Sequence, residues 1–149
     1  MIREAARHEI RAIVDMMREY ADEAPVKVLQ GIDTQDPQHV GNIIFTMMAG
    51  RGFVLVDDDL NGFIAAVIVP NIWSPKILEL RELAWWVYPD CRNTSLGGKL
   101  WLAFNKKAQE MLDAGRVQMV CVTSMASSPA LDYTKRGYAP LETTYFREV

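Results

Sequence analysis

Apolar side chains recur along this chain at two spacings, and the change from one to the other lays out its elements. Ile2 to Ala5 reads as a short first strand. From about His8 to Ala21, the positions Ile10, Ile13, Val14, Met17 and Tyr20 recur at three- and four-residue steps, which marks an amphipathic helix that Pro25 closes. A loop holding Gly31 follows, with Asp36 as a candidate N-cap and Pro37 at the first position of a second helix. That helix runs to Met48 and stops at Ala49-Gly50. Phe53 to Val56 and Phe63 to Val69 read as strands joined in a hairpin by Asp57 to Gly62, where the Asn61-Gly62 pair favours positive backbone angles. Leu78 to Val87 is the third long strand, ended by Pro89. Leu96, Leu100, Ala103, Phe104, Ala108, Met111 and Leu112 then share one face of a helix from Leu96 to Ala114, with Gly115 just past its end. Val117 to Thr123 reads as a strand, Ser128 to Lys135 as a short helix, and Tyr138 to Glu148 as an extended terminal strand. The order predicts a mixed α/β domain (α+β by some schemes), one central β-sheet flanked by about four helices. Met16, Met17, Met47, Met48 and Met111 lie at helical spacing and read as core.

Length and composition narrow the class. At 149 residues, half of them apolar and 23% charged, residues 1–149 fit a single globular domain that needs no disulfide or metal staple. Cys91 and Cys121 have no CxxC or Cys/His spacing, so zinc is not expected, and two unpaired thiols suit a reducing cytoplasm. The N-terminus is charged from Arg3 onward and lacks a signal-like apolar stretch; the longest apolar run, Phe63 to Pro70, is short of a membrane span. The expectation is a cytoplasmic chain off the membrane. A net charge of -3 argues against nucleic acid as a partner.

The stretch Leu83 to Lys99 carries candidate chemistry: a buried strand runs into a short loop with Arg92, small polar residues and two glycines, and the loop opens onto a helix. The first N–H groups of a helix have no internal partner, the helix dipole adds positive charge there, and small residues let phosphate oxygens approach. This suits a pyrophosphate. It suits equally an ordinary strand-to-helix turn with Ser95 as N-cap. No GxxxxGK[ST] or GxGxxG spacing is present.

Val87-Tyr-Pro89 followed by Arg92-Asn-Thr-Ser95-Leu-Gly97 resembles the signature of the GNAT superfamily of N-acetyltransferases, in which Val-x-Pro precedes Arg/Gln-x-x-Gly-x-Gly/Ala. The resemblance spans the chain: Ile2-Arg-Glu-Ala is similar to that family's first strand, the Asp57 to Phe63 hairpin to its second and third, and Tyr133-Thr-Lys-Arg-Gly137-Tyr138 to its closing Tyr-x-x-x-Gly-Phe/Tyr. With Trp85-Trp86-Val87 the chain resembles a version of that family seen in bacteria and phages. The resemblance implies that acetyl-coenzyme A is the co-substrate and that no metal is used. Arg92, Asn93, Thr94, Ser95, Leu96, Gly97 and Gly98 would hold its pyrophosphate, and Trp86 and Val87 would pair with its pantetheine arm. The chain departs from the pattern at Ser95, where glycine is usual, and at Ala126, where asparagine is frequent.

Acetyl transfer to an amine requires a base, because an amine of pKa about 10 is mostly protonated at neutral pH. Glu82 is the candidate base, a carboxylate in an apolar run whose burial would raise its pKa; a salt bridge to Arg81 is the competing reading. Glu79 is the reserve, three residues earlier and on the opposite side of a regular strand, unless a bulge intervenes. By resemblance Tyr133 is the candidate acid at the leaving sulfur. Trp85 and Trp86 should point to opposite faces, so that at most one lines the cleft. Trp73 is a candidate acceptor contact or a cap on the core. Lys106, Lys107, Lys135 and Arg136 read as solvated faces, with one a candidate for the coenzyme's ribose phosphate.

The acceptor, a small-molecule or protein amine, would sit between Tyr20 to Gly41 and Asn71 to Ile77, where Asp22, Glu23, Asp33 and Asp36 are the acidic residues. The expectation is an N-acetyltransferase acting on a primary amine. The alternatives are a non-catalytic acyl-coenzyme A-binding module and a transfer RNA-acetylating protein, which the acidic balance argues against. A homodimer through the terminal strands is also expected.

Overall fold

The computed structural model describes residues 1–30, 35–126, 128 and 131–148. Five strands form one sheet in the order β1 (Ile2–Glu4), β2 (Gly52–Asp57), β3 (Gly62–Asn71), β4 (Ser74–Val87) and β5 (Met119–Cys121). Neighbours are antiparallel except β4 and β5, which are parallel. Three α-helices, α1 (Ile10–Glu23), α2 (Pro37–Thr46) and α3 (Leu96–Asp113), cover the sheet.

The period-two alternation sorts the strands into two core layers. Phe53, Leu55, Ile64, Ala66 and Leu80 face α3, meeting Leu100, Trp101, Phe104, Ala108 and Met111. Val54, Val56, Phe63, Ala65 and Ala84 face α1 and α2, meeting Ile13, Val14, Met16, Ile44 and Met47. The predicted methionine core holds, with Met16, Met47 and Met111 buried and Met17 and Met48 packed at its margin. The mixed α/β architecture with one central sheet is as expected, with three α-helices among the described residues where about four helices were expected.

Local chemistry explains most boundaries. The Asp36 carboxylate accepts from the Gln38 and His39 N–H groups (3.0 and 3.1 Å) and caps α2 ahead of Pro37. Beyond Thr46 the helix widens into a π-type turn, Met47–Arg51, broken at Gly50 (φ 119°). The β2–β3 turn departs from expectation. Its positive angle falls on Leu60 (φ 55°), not on Asn61-Gly62, because the Asp57 carboxylate accepts from both Asn61 and Gly62 N–H groups and sets the turn. Gly62 serves instead for closeness: a Cβ there would lie 2.9 Å from Val87 Cγ2 and 3.0 Å from the Trp86 carbonyl.

The second half of the chain is less regular than its pattern suggests. The strand expected over Val117 to Thr123 pairs only through Met119–Cys121. The helix expected over 128–135 lies partly outside the described residues; within them is a single 3₁₀ turn, Tyr133–Arg136. The terminal strand expected over Tyr138 to Glu148 does not form: residues 139–148 pair with no described strand. The tail instead crosses to α1's side, where Glu148 accepts from the Lys27 and Val28 N–H groups (both 3.1 Å). Among the described residues no helix is long and apolar enough to cross a membrane.

Candidate active site

A β-bulge and a short neighbour build the site. Ala66 pairs with Glu82 but Ala65 pairs with Ala84, so Leu83 is an extra residue in β4. Beside it, the ladder between β4 and β5 ends at Arg81–Cys121. From Glu82 to Val87 no described strand covers that edge of β4, and its backbone borders a cleft of about 720 Å³, within the range typical of cofactor sites. Glu82, Trp85, Trp86, Val87, Arg92, Gly97, Gly98 and Tyr133 all line it.

Because the cleft wraps around the open edge of β4, it meets both faces of the sheet. Trp85, stacked on Trp101 at 5.8 Å between ring centres, and Trp86, only 4% exposed in the other layer, therefore both line it. The expectation that at most one could do so assumed a closed sheet and is corrected.

Glu82 is 7% exposed and accepts a hydrogen bond from Thr123 Oγ1 (3.1 Å). Burial pushes its carboxyl up to about 7, against the smaller lowering effect of Thr123. The same Thr123 accepts, through its carbonyl, from the Tyr133 hydroxyl (3.1 Å). Glu82 and Tyr133 are thus joined through one residue. Burial, with the nearby Glu82 charge, raises the Tyr133 phenol to about 12, and Tyr20 likewise to about 12 with Glu82 and Glu23 contributing. A buried carboxyl near neutrality beside a phenol that keeps its proton is a usable base and acid pair.

The competing readings fall away on geometry. Arg81 pairs with Glu79 (2.7 Å), not with Glu82. Glu79 also accepts from Asn71 Nδ2 (2.6 Å), and that bond, with Arg81, holds its carboxyl low despite burial. The reserve base is thereby excluded; the bulge lies after Glu82, so Glu79 stays on the far side of the strand. Trp73 neither lines the cleft nor caps the core. It is 88% exposed at the β3–β4 hairpin tip, nine residues or about 30 Å along β4 from Glu82. None of Asn71 to Ile77 lines the cleft, because a two-residue turn between β3 and β4 leaves no loop to reach it. Asp33 lies outside the described residues.

The loop after β4 makes a 3₁₀ turn, Pro89–Cys91, before α3. Ser95 occupies the N-cap position but makes no side-chain cap; Thr94 Oγ1 accepts from the Leu96 N–H instead (3.3 Å). Ser95 sits at φ -79°, ψ 0°, a negative-φ turn conformation that does not call for glycine, so serine is accommodated there. A Cβ on Gly98 would meet nothing within 4 Å, which leaves the first turn of α3 open to an incoming oxygen. Arg92 donates through Nε to the Val87 carbonyl (2.8 Å) and forms a two-oxygen pair with Glu23 (2.6 and 2.8 Å). Both cysteines are free thiols. Arg136 lines the cleft, whereas Lys107 pairs with Glu4 (3.3 Å) on the outer side.

Trp101 and Thr123 join the site without having been singled out for it, whereas Tyr20 and Glu23 come from the Tyr20 to Gly41 segment expected to form the acceptor pocket. Trp101 had a signal, since it stands three residues before Phe104 and seven before Ala108 on α3. Thr123 had none: its role follows from where β5 stops.

The sequence matches no protein-family model and no curated protein. Its fold, however, is that of solved acetyltransferases. It is similar to a Trypanosoma brucei acetyltransferase (TM-score 0.66, 14% identity, covering 100% of this chain and 99% of that one). It is similar also to an aminoglycoside acetyltransferase from an uncultured soil metagenomic sample, solved in complex with sisomicin (0.65, 16%, 100% and 95%). A third match is an integron cassette protein from the mobile metagenome of Cole Harbour Salt Marsh (0.67, 15%, 99% and 89%). At these identities the likeness is one of fold, and the fold is GNAT-like.

Proposed function

We propose that the chain is an acetyl-coenzyme A-dependent N-acetyltransferase acting on a primary amine. The observation that carries this reading is the convergence on one cleft of Glu82, raised to about 7 by burial, the Tyr133 hydroxyl linked to it through Thr123, and Arg92, Thr94, Gly97 and Gly98 of the loop that opens α3. The residues fit the co-substrate. The first-turn N–H groups of α3 and the open space at Gly98 suit a pyrophosphate, with Arg92, Asn93, Thr94, Ser95, Leu96 and Gly97 around it. The uncovered backbone of Trp86 and Val87 suits the amide-bearing pantetheine arm.

Acetyl-coenzyme A would supply the thioester carbonyl. Glu82 takes the proton from the incoming ammonium, so that a nitrogen lone pair can attack. As the C–S bond breaks, Tyr133 gives its proton to the departing thiolate, and the phenolate is restored by the proton that the newly acylated nitrogen sheds. Thr123 holds both groups in register, and the indole walls of Trp85, Trp86 and Trp101 keep water from the reacting atoms.

The test is acetyl-coenzyme A turnover against a panel of amines, with Glu82→Gln and Tyr133→Phe as comparisons. Removal of either group should slow transfer by about 10²- to 10⁴-fold while leaving coenzyme affinity within a few-fold. Unchanged rates in both variants sink the roles. Coenzyme binding by calorimetry with no turnover on any amine favours the non-catalytic binding module.

A further inference from the structure

Glu23 is the last residue of α1, and its position is electrostatically unfavourable on its own. The C-terminal end of a helix carries partial negative charge, which disfavours a carboxylate there; α1 has no basic residue in its last turn and has Asp22 beside Glu23. Part of what offsets this lies across the cleft. Arg92 Nη2 reaches both Glu23 oxygens at 2.6 and 2.8 Å, the Trp86 indole N–H donates to one of them at 3.0 Å, and the Arg92 guanidinium stacks over the Trp86 ring at 5.4 Å. The cation of the loop is therefore held by a carboxylate from the other wall of the cleft, and the pair is open to exchange, with side chains 43% and 41% exposed.

We propose that Glu23 changes partner during binding: it holds Arg92 before the coenzyme arrives and, once a pyrophosphate competes for Arg92, presents its carboxylate to the cleft as the subsite for a second ammonium group on the acceptor. This rests on the coenzyme-dependent transfer proposed above. A pyrophosphate offers Arg92 more negative charge than one carboxylate does, and it reaches α3's first turn at the same time. Glu23 keeps its Trp86 hydrogen bond and so keeps its orientation. It shares the cleft with Glu82 and Tyr20, so one amine can give up its proton at Glu82 while another, still charged, is held at Glu23. The acceptors this favours are diamines and polyamines, and the coenzyme should bind before them.

Two titrations by calorimetry test it, using coenzyme A and spermidine as probes. Glu23→Gln should bind coenzyme A about two- to five-fold more tightly than wild type, the range expected for release of a half-exposed ion pair. In an Arg92→Gln background the same substitution should have no effect, which separates competition for Arg92 from simple loss of a negative charge. Spermidine should bind wild type at least about five-fold more tightly with saturating coenzyme A than without, and Glu23→Gln should lose that gain. Equal or weaker coenzyme A affinity in Glu23→Gln overturns the inference, as does a spermidine gain that is absent in wild type or survives in Glu23→Gln. If wild type binds no coenzyme A, the acetyltransferase reading falls with it; if it binds and Glu23→Gln is unaltered, only the partner exchange falls.

Discussion

Replacing Glu82 by glutamine should stabilise this protein, and by an amount that depends on pH in a defined way. In the folded chain burial raises the Glu82 carboxyl from 4.5 to about 7; in the unfolded chain it returns to its ordinary value. Between these limits the fold keeps a proton that the unfolded chain releases, so stability falls as pH rises through the window and levels off above about 7. At about 1.4 kcal/mol per tenfold change in proton affinity, the full cost is about 3 kcal/mol. Glutamine has the same shape, can still accept from Thr123 Oγ1, and never ionises. The advantage of Glu82→Gln over wild type should therefore grow by about 2 to 3 kcal/mol between pH 5 and pH 8.5. Urea unfolding at a series of pH values reads this directly: with a slope of about 2 kcal/mol/M, the two midpoints should separate by about 1 M more at the alkaline end. Taking the difference between the two proteins cancels every other titrating group. Curves that stay parallel across the series refute the burial argument, and with it the reason for Glu82 to act as a base near neutrality.

Four further outcomes follow from the same geometry. The ratio of wild-type to Glu82→Gln turnover should climb through pH 6 and level off above about 7, and a flat ratio contradicts the base role. With its phenol raised to about 12, Tyr133 should show no ionisation up to pH 10 in an ultraviolet titration, and Tyr133→Phe should remove one transition near pH 12. Gly98→Ala, with nothing within 4 Å of the new methyl, should gain up to about 1 kcal/mol of stability yet lose coenzyme A affinity at least about five-fold, whereas Ser95→Gly should change that affinity less than about three-fold; both are read by calorimetry. Gly52→Ala would put its Cβ 1.9 Å from the Ala66 carbonyl oxygen and should cost about 3 kcal/mol or more in thermal or urea unfolding.

The first half of the chain was legible because local rules and tertiary packing agree there. Asp36-Pro37 capped a helix as its chemistry requires, and the apolar alternation of Phe53 to Val56 and Phe63 to Val69 is the same alternation that divides the two core layers. Agreement ended where a residue's fate depends on a distant partner. Asn61-Gly62 promised a positive-angle turn, but a side chain four residues back overrode it. The apolar run from Val117 suggested a seven-residue strand, but only three residues find a neighbour to pair with. The site divided the same way. Glu82 stood out as a carboxylate in an apolar strand, and the Arg92 to Gly98 loop by its small residues before a helix. Thr123, which joins Glu82 to Tyr133, had no local signal, and Glu23, marked only as an acidic residue near the acceptor, gave no sign that it holds Arg92; both contacts come from 41 and 69 positions away.

The bulge at Leu83 leaves a mark that substitution data would carry without any structure. Before it, the even-numbered residues Leu78, Leu80 and Glu82 look toward α3; after it, the odd-numbered Trp85 and Val87 do, while Ala84 and Trp86 turn to α1 and α2. Leu80, Glu82, Ala84 and Trp86 are all buried, yet the bulge gives the first two to one layer and the last two to the other. A saturation scan would find the even-numbered positions intolerant on both sides of the bulge, with Leu83, 42% exposed, the tolerant point between Glu82 and Ala84. Deleting that single codon leaves every flanking side chain on its own face and removes only the kink. A transfer activity that disappears while the fold survives would then assign the kink, and not the identity of any side chain, as what opens the edge of β4.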